Sequence, residues 1–142
     1  MIRYNELLYF VGKTIKDHFK NCKLRAKKNQ EDIKEPMFYV EVRPLSSNSY
    51  KSYVDKLVNI TITYTDEIVD NEKLNNILNE LESIFDLGIT VKDTFLMFKN
   101  KIPKLDDDFL TFNLTINYKD DKEVVDENDF YSAMLEELYL DL

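Results

Sequence analysis

Apolar residues repeat along this chain with two different periods, and the switches between them mark out its elements. From about Tyr4 to Lys20, Leu7, Leu8, Val11, Ile15 and Phe19 fall on one stripe. A spacing near 3.6 residues predicts an amphipathic helix. Gly12 lies inside that stripe. Glycine weakens a helix by roughly 1 kcal/mol relative to alanine, so its presence points to a close packing contact.

Residues 21–34 are polar and mixed, with room for a short edge strand at Cys22–Ala26. Met37–Arg43 is aromatic and β-branched and is bracketed by Pro36 and Pro44, which predicts a strand with prolines at its ends. Leu45–Ser52 reads as a polar loop. The period then becomes two. From Leu57 to Asp66, Val58, Ile60, Ile62 and Tyr64 alternate with Asn59, Thr61, Thr63 and Thr65. That is the pattern of an antiparallel strand with one solvated face.

Asp70 is placed to cap a helix running to about Asp86, with Leu74, Ile77, Leu78, Leu81, Ile84 and Phe85 as its inner stripe. Gly88 follows at an expected helix end. Thr94–Lys101 predicts a strand, and Asp106–Asp108 a turn. In Phe109–Tyr118, Leu110, Phe112, Leu114, Ile116 and Tyr118 alternate with Thr111, Asn113, Thr115 and Asn117. The two segments pair most simply as a hairpin. An acidic linker, Asp120–Asp129, leads to a closing helix from about Asn128 to Leu140. The expected fold class is α+β: a mostly antiparallel β-sheet with helices packed on one face. The order is α-β-β-(β)-α-β-β-α, one strand of the first group being optional. Residues 1–142 are expected to form a single domain.

Composition sharpens this picture. With 44% apolar residues, the 142-residue chain can build an ordinary core, and two glycines leave no Gly-rich phosphate loop. The formal charge is −8. Binding to a nucleic-acid backbone rests on neutralising phosphates, so no specific nucleic-acid binding is expected, although Arg25–Lys28 is locally basic. Cys22 is the single cysteine, which fits a reducing compartment. No secretory signal or membrane-spanning run is apparent, and folding in a bacterial cytoplasm with no membrane contact is expected.

Little in the sequence suggests chemistry. His18 is the single histidine and sits near a helix end, where it suits the dipole. Cys22 has no neighbouring base motif. Asp106–Asp108 lacks the spacing and glycine of a calcium loop. Asp120-Asp121-Lys122 faintly resembles the carboxylate-and-lysine site of metal-dependent nucleases, but an acidic protein offers no basic track for such a substrate. No catalytic residue, metal or cofactor is expected.

Two surface features stand out instead. The outward positions of the two best strands, Asn59, Thr61, Thr63, Thr111, Asn113 and Thr115, carry no charge. They fit either a threonine-rich half-buried sheet or a face lining a channel with other subunits. The closing segment carries more apolar residues than one helical stripe needs, which marks a candidate protein contact. Together with the loop before the second strand, it supplies the candidate interface residues Leu45, Tyr50, Tyr53, Tyr131, Leu135, Tyr139 and Leu142.

The whole arrangement resembles a known family. The features are the opening helix, Glu35-Pro36-Met37-Phe38-Tyr39-Val40-Glu41-Val42, Leu57-Val58-Asn59-Ile60-Thr61-Ile62-Thr63-Tyr64, the Asn71–Phe85 helix, the Thr94–Tyr118 hairpin and the Met134-containing closing helix. In this order they look like the tail terminator (tail completion) proteins of tailed phages and phage-tail-like particles from low-GC Gram-positive bacteria. The resemblance covers nearly the whole chain and carries no catalytic residues. It implies a ring, usually of six copies, seated on the last ring of the tail tube protein. The ring would end tube growth and present its other face to the head–tail connector, with the sheath a further partner in contractile particles. The location implied is the virion tail, and the subunit could stay monomeric until it meets the tube. Two other readings stand beside this one. One is a monomeric adaptor or assembly chaperone binding through its sheet edge or closing helix; the other is a small nuclease using Asp120, Asp121 and the Asp106–Asp108 turn.

Overall fold

The structure is a computed structural model that describes residues 1–26, 35–122 and 130–140. Three helices and six strands follow one another as α1 (Tyr4–His18), β1 (Lys23–Arg25), β2 (Met37–Ser49), β3 (Tyr53–Thr65), α2 (Asn71–Ile84), β4 (Gly88–Val91), β5 (Thr94–Leu105), β6 (Phe109–Asp121) and α3 (Phe130–Leu138). The class is α+β, and the order is the expected one with β4 added. The strands lie side by side as β1-β2-β3-β6-β5-β4. All neighbours are antiparallel except β1 and β2.

Period-two sequence becomes layered packing. Val40, Ile62 and Phe112 stand in one cross-strand row, and Phe38, Tyr64 and Leu110 in the next. All six are buried in the core. Burying each such side chain stabilises the fold by about 1.5–3 kcal/mol, so these rows fix the register. A one-residue slip would turn the whole set toward solvent.

Helix α1 lies against β1 and β2 at one side of the sheet and against β4 at the other. The sheet therefore curls around it. Its stripe is buried at Leu7, Val11, Ile15 and Phe19. Helix α2 starts where Asp70 Oδ1 accepts the Lys73 N–H at 2.8 Å. This satisfies a donor that the helix itself leaves free. It buries Leu74, Leu81 and Phe85 beneath β5 and β6.

Gly12 does mark a close approach. A Cβ there would stand 2.4 Å from the Tyr139 hydroxyl and 3.0 Å from Leu24 Cδ2. The same hydroxyl donates to the Leu8 carbonyl at 2.7 Å, and the Leu140 N–H donates to Leu24 O. The end of α3 is thus tied to both α1 and β1.

Several boundaries differ from expectation. Leu45–Ser49 is strand rather than loop, because β2 passes through Pro44 with a register shift between Pro44 and Ser46. Among the described residues, β1 covers β2 only at Met37–Tyr39, which leaves Pro44 on an edge position, where a missing N–H is tolerated. The turn is only Lys51-Ser52, closed by Tyr50 N–H to Tyr53 O at 2.8 Å. β5 likewise continues through Pro103 to Leu105. Gly88 does not end α2, whose cap is Phe85; it opens β4. An added Cβ at Gly88 would lie 2.1 Å from Leu96 O, so the strand backbones could not approach with a side chain present. Asp120 and Asp121 belong to β6 rather than to a linker. The rest of the acidic segment, 123–129, lies outside the described residues.

Candidate assembly surfaces

The helices cover one face of the sheet, and the other face is where the outward residues gather. Neighbouring strands bring Asn59 opposite Thr115, Thr61 opposite Asn113 and Thr63 opposite Thr111. All six are half-buried. Asn59 Nδ2 donates to Thr61 Oγ1 at 3.0 Å, and Thr61 Oγ1 donates to Asn113 Oδ1 at 2.9 Å. These bonds join β3 to β6 through side chains as well as backbone. The centre of the open face is therefore uncharged and already hydrogen-bonded within itself. Glu41 and Arg43 flank it on β2 and pair with each other at 2.7 Å.

The β2–β3 hairpin carries Leu45 and Tyr50, both exposed, and the half-exposed Tyr53. The two tyrosine rings stack at 4.8 Å, and Lys119 lies over the Tyr53 ring at 5.2 Å. Tyr131 is half-buried with its ring 5.3 Å from that of Tyr9. Two expected interface residues do not reach a surface. Leu135 is 1% and Tyr139 2% exposed, because α3 turns both toward α1 and the core. Leu142 lies outside the described residues.

Sequence reasoning missed a second apolar surface. On β5, Leu96 points into the core while Phe95, Met97 and Ile102 are exposed. Register puts Phe95 opposite Thr90, Met97 opposite Gly88 and Ile102 opposite Asn113, so all three share the open face. The available signal was the unbroken run Phe95-Leu96-Met97-Phe98, which lacks the alternation of a strand with one wet face.

Of the acidic residues considered for chemistry, Asp107, Asp108 and Asp121 are exposed, whereas Asp120 is engaged in structural contacts. Asp120 is buried, accepts the Ile2 N–H on both oxygens at 3.0 Å and pairs with Lys56 at 3.0 Å. Buried Glu6 pairs with Lys92, whose backbone holds a positive φ of 57° in the β4–β5 turn. Burial pulls the Asp66 carboxyl upward, but hydrogen bonds from Lys73, the Glu67 N–H and Tyr64 outweigh this and leave it below its ordinary value. Burial, reinforced by Asp66, pushes the Cys22 thiol up, away from reactive thiolate. His18 Nε2 lies 3.4 Å from Glu80 on the surface. Among the described residues, no three acidic, histidine or cysteine side chains gather as a metal site. No described helix is long and apolar enough to cross a membrane.

The fold is a mostly antiparallel sheet curled around a helix, with an open face that is uncharged at its centre and apolar residues exposed toward its rims. The family model described as phage tail terminator protein matches residues 6–128. This chain belongs to the phage tail terminator family, whose members are structural proteins of tail assembly, and that membership puts it in the virion tail beside other tail proteins. No curated protein matches it. Among the solved structures similar to it, one matches at 10% identity and a TM-score of 0.47, over 89% of this chain and 100% of that one. A likeness at that level says nothing about function.

Proposed function

We propose that copies of this chain form a ring, most simply of six, on the last ring of the tail tube. The ring ends tube polymerisation and offers its far side to the head–tail connector, or to the sheath where the tail contracts. Assembly takes place in the host cytoplasm. A tube grows because the top of each ring accepts the bottom of the next. A subunit that carries the accepting geometry on one side only stops that growth.

The observation that supports this reading best is the open sheet face, with Asn59, Thr61, Thr63, Thr111, Asn113 and Thr115 half-buried and without charge. Ordinary solvent faces intersperse charges of both signs. A conduit for DNA works best without cations that would trap phosphates, and a Thr/Asn lining meets that need. The test is electron microscopy of particles from a producer lacking the chain. Overlong or unfinished tubes are expected; finished tubes of normal length would rule out capping.

A further inference from the structure

We infer that neighbouring copies meet head to tail, with the loop around Ile68 of one copy seated on the β5 strip of the next; this rests on the ring reading above. Two surfaces of the chain carry it. The first is the outward side of β5, where Phe95 is 53%, Met97 64% and Ile102 58% exposed. Residues 94–105 include Lys99, Lys101 and Lys104 and no acid. Lys101 leans toward Asp86 and the Phe85 carbonyl, while Lys99 and Lys104 are exposed. A net −8 chain thus holds an apolar strip whose own charged residues are all basic, with acids only beyond its two ends at Asp93 and Asp106–Asp108.

The second surface is its complement. Between β3 and α2 the chain runs Asp66-Glu67-Ile68-Val69-Asp70-Asn71-Glu72, with four acids and no base. Ile68 stands at its crest, 79% exposed. The Asp70 cap and the Lys73–Asp66 pair hold both ends of the loop, so this apolar tip is presented on a fixed base. Glu67 and Glu72 are exposed beside it.

Within one molecule the two surfaces leave each other exposed. Between molecules, Ile68 packs against the neighbouring Phe95 and Met97 side chains, two residues apart on one face of the strand, and Glu67 and Glu72 face the lysines of β5. Opposite charge across a rim steers and orients a contact, and apolar burial at its centre holds it. Because the surfaces differ, the contact is heterologous. Such a contact leaves a free loop at one end and a free strip at the other until a ring closes.

The test is a producer whose only copy of the chain carries both Ile68→Cys and Met97→Cys. Both positions are exposed, so the fold tolerates the changes, and native Cys22 is buried. Purified particles are treated with a short bis-maleimide and run under denaturing conditions. A ladder of chain multiples ending in one closed species is expected, with each single-cysteine chain remaining at monomer mass. As a second measurement, Lys99→Glu with Lys104→Glu should abolish incorporation into particles, and adding Glu67→Lys with Glu72→Lys should restore it. Chain present in particles without a ladder would overturn this contact and leave capping intact. A cross-link from position 97 to another tail protein would also overturn it, assigning the strip to that protein. Absence of the unsubstituted chain from particles would overturn both readings.

Discussion

Gly12 shows how one missing side chain can position a helix. Alanine is favoured over glycine in a helix by about 1 kcal/mol, yet here its methyl group would press on the Tyr139 hydroxyl and Leu24. Overpacking of that kind costs about 1–3 kcal/mol, so Gly12→Ala is expected to destabilise on balance. The nearest atom is the hydroxyl oxygen, so the loss should shrink in a Tyr139→Phe background. A double-mutant cycle by urea denaturation checks this, and a cost unchanged by Tyr139→Phe would show that the crowding lies elsewhere. A second prediction concerns Asp66, whose folded pKa is depressed. Its contribution to stability is present above the unfolded carboxylate range, near 3.9. It is lost as pH falls through the lower folded value. Lys73→Met should therefore reduce stability at neutral pH and flatten the acid limb of the stability–pH curve.

The three helices act differently. α1 and α2 each present a stripe that their sequence spacing announces, and the structure buries it. α3 carries apolar residues on more than one side, and only packing decides which ones face inward. Leu135→Ala is expected to cost about 2–5 kcal/mol, as buried leucine truncations do. Leu45→Ala, on the exposed hairpin, should change stability by no more than about 0.5 kcal/mol. Chemical denaturation of the two variants side by side would separate a core residue from a surface one. Equal losses would contradict the packing of α3. The strands divide in the same way. Their buried segments alternate plainly, while Leu45–Ser49 and Pro103–Leu105 are exposed throughout and lose the alternation.

At the scale of the whole molecule, charge is distributed with a pattern. The centre of the open face is neutral, β5 is basic, and the loop before α2 is acidic. If the open face lines a channel, Thr61→Lys together with Thr115→Lys would place two cations on each subunit where DNA passes. Particles should then assemble but eject DNA more slowly, as measured by ejection kinetics. Unchanged ejection would count against the lumen assignment and leave capping untouched.

The sequence alone determined the α+β class, the order of the main elements and the inward rows of β3 and β6. Local periodicity records which side of an element meets the core, and that is a property of neighbouring residues. It also singled out the uncharged Asn/Thr positions. Only the tertiary structure decided that Leu135 and Tyr139 are core, that β4 exists, and that Phe95, Met97 and Ile102 stay uncovered. Each of these depends on residues distant in sequence. Tyr139 is buried because Gly12 admits it, β4 forms because β5 is beside it, and the Phe95 side of β5 is exposed because the helices pack on the other face. Periodicity records how much apolar surface an element carries, but only the packing partner decides which side is covered.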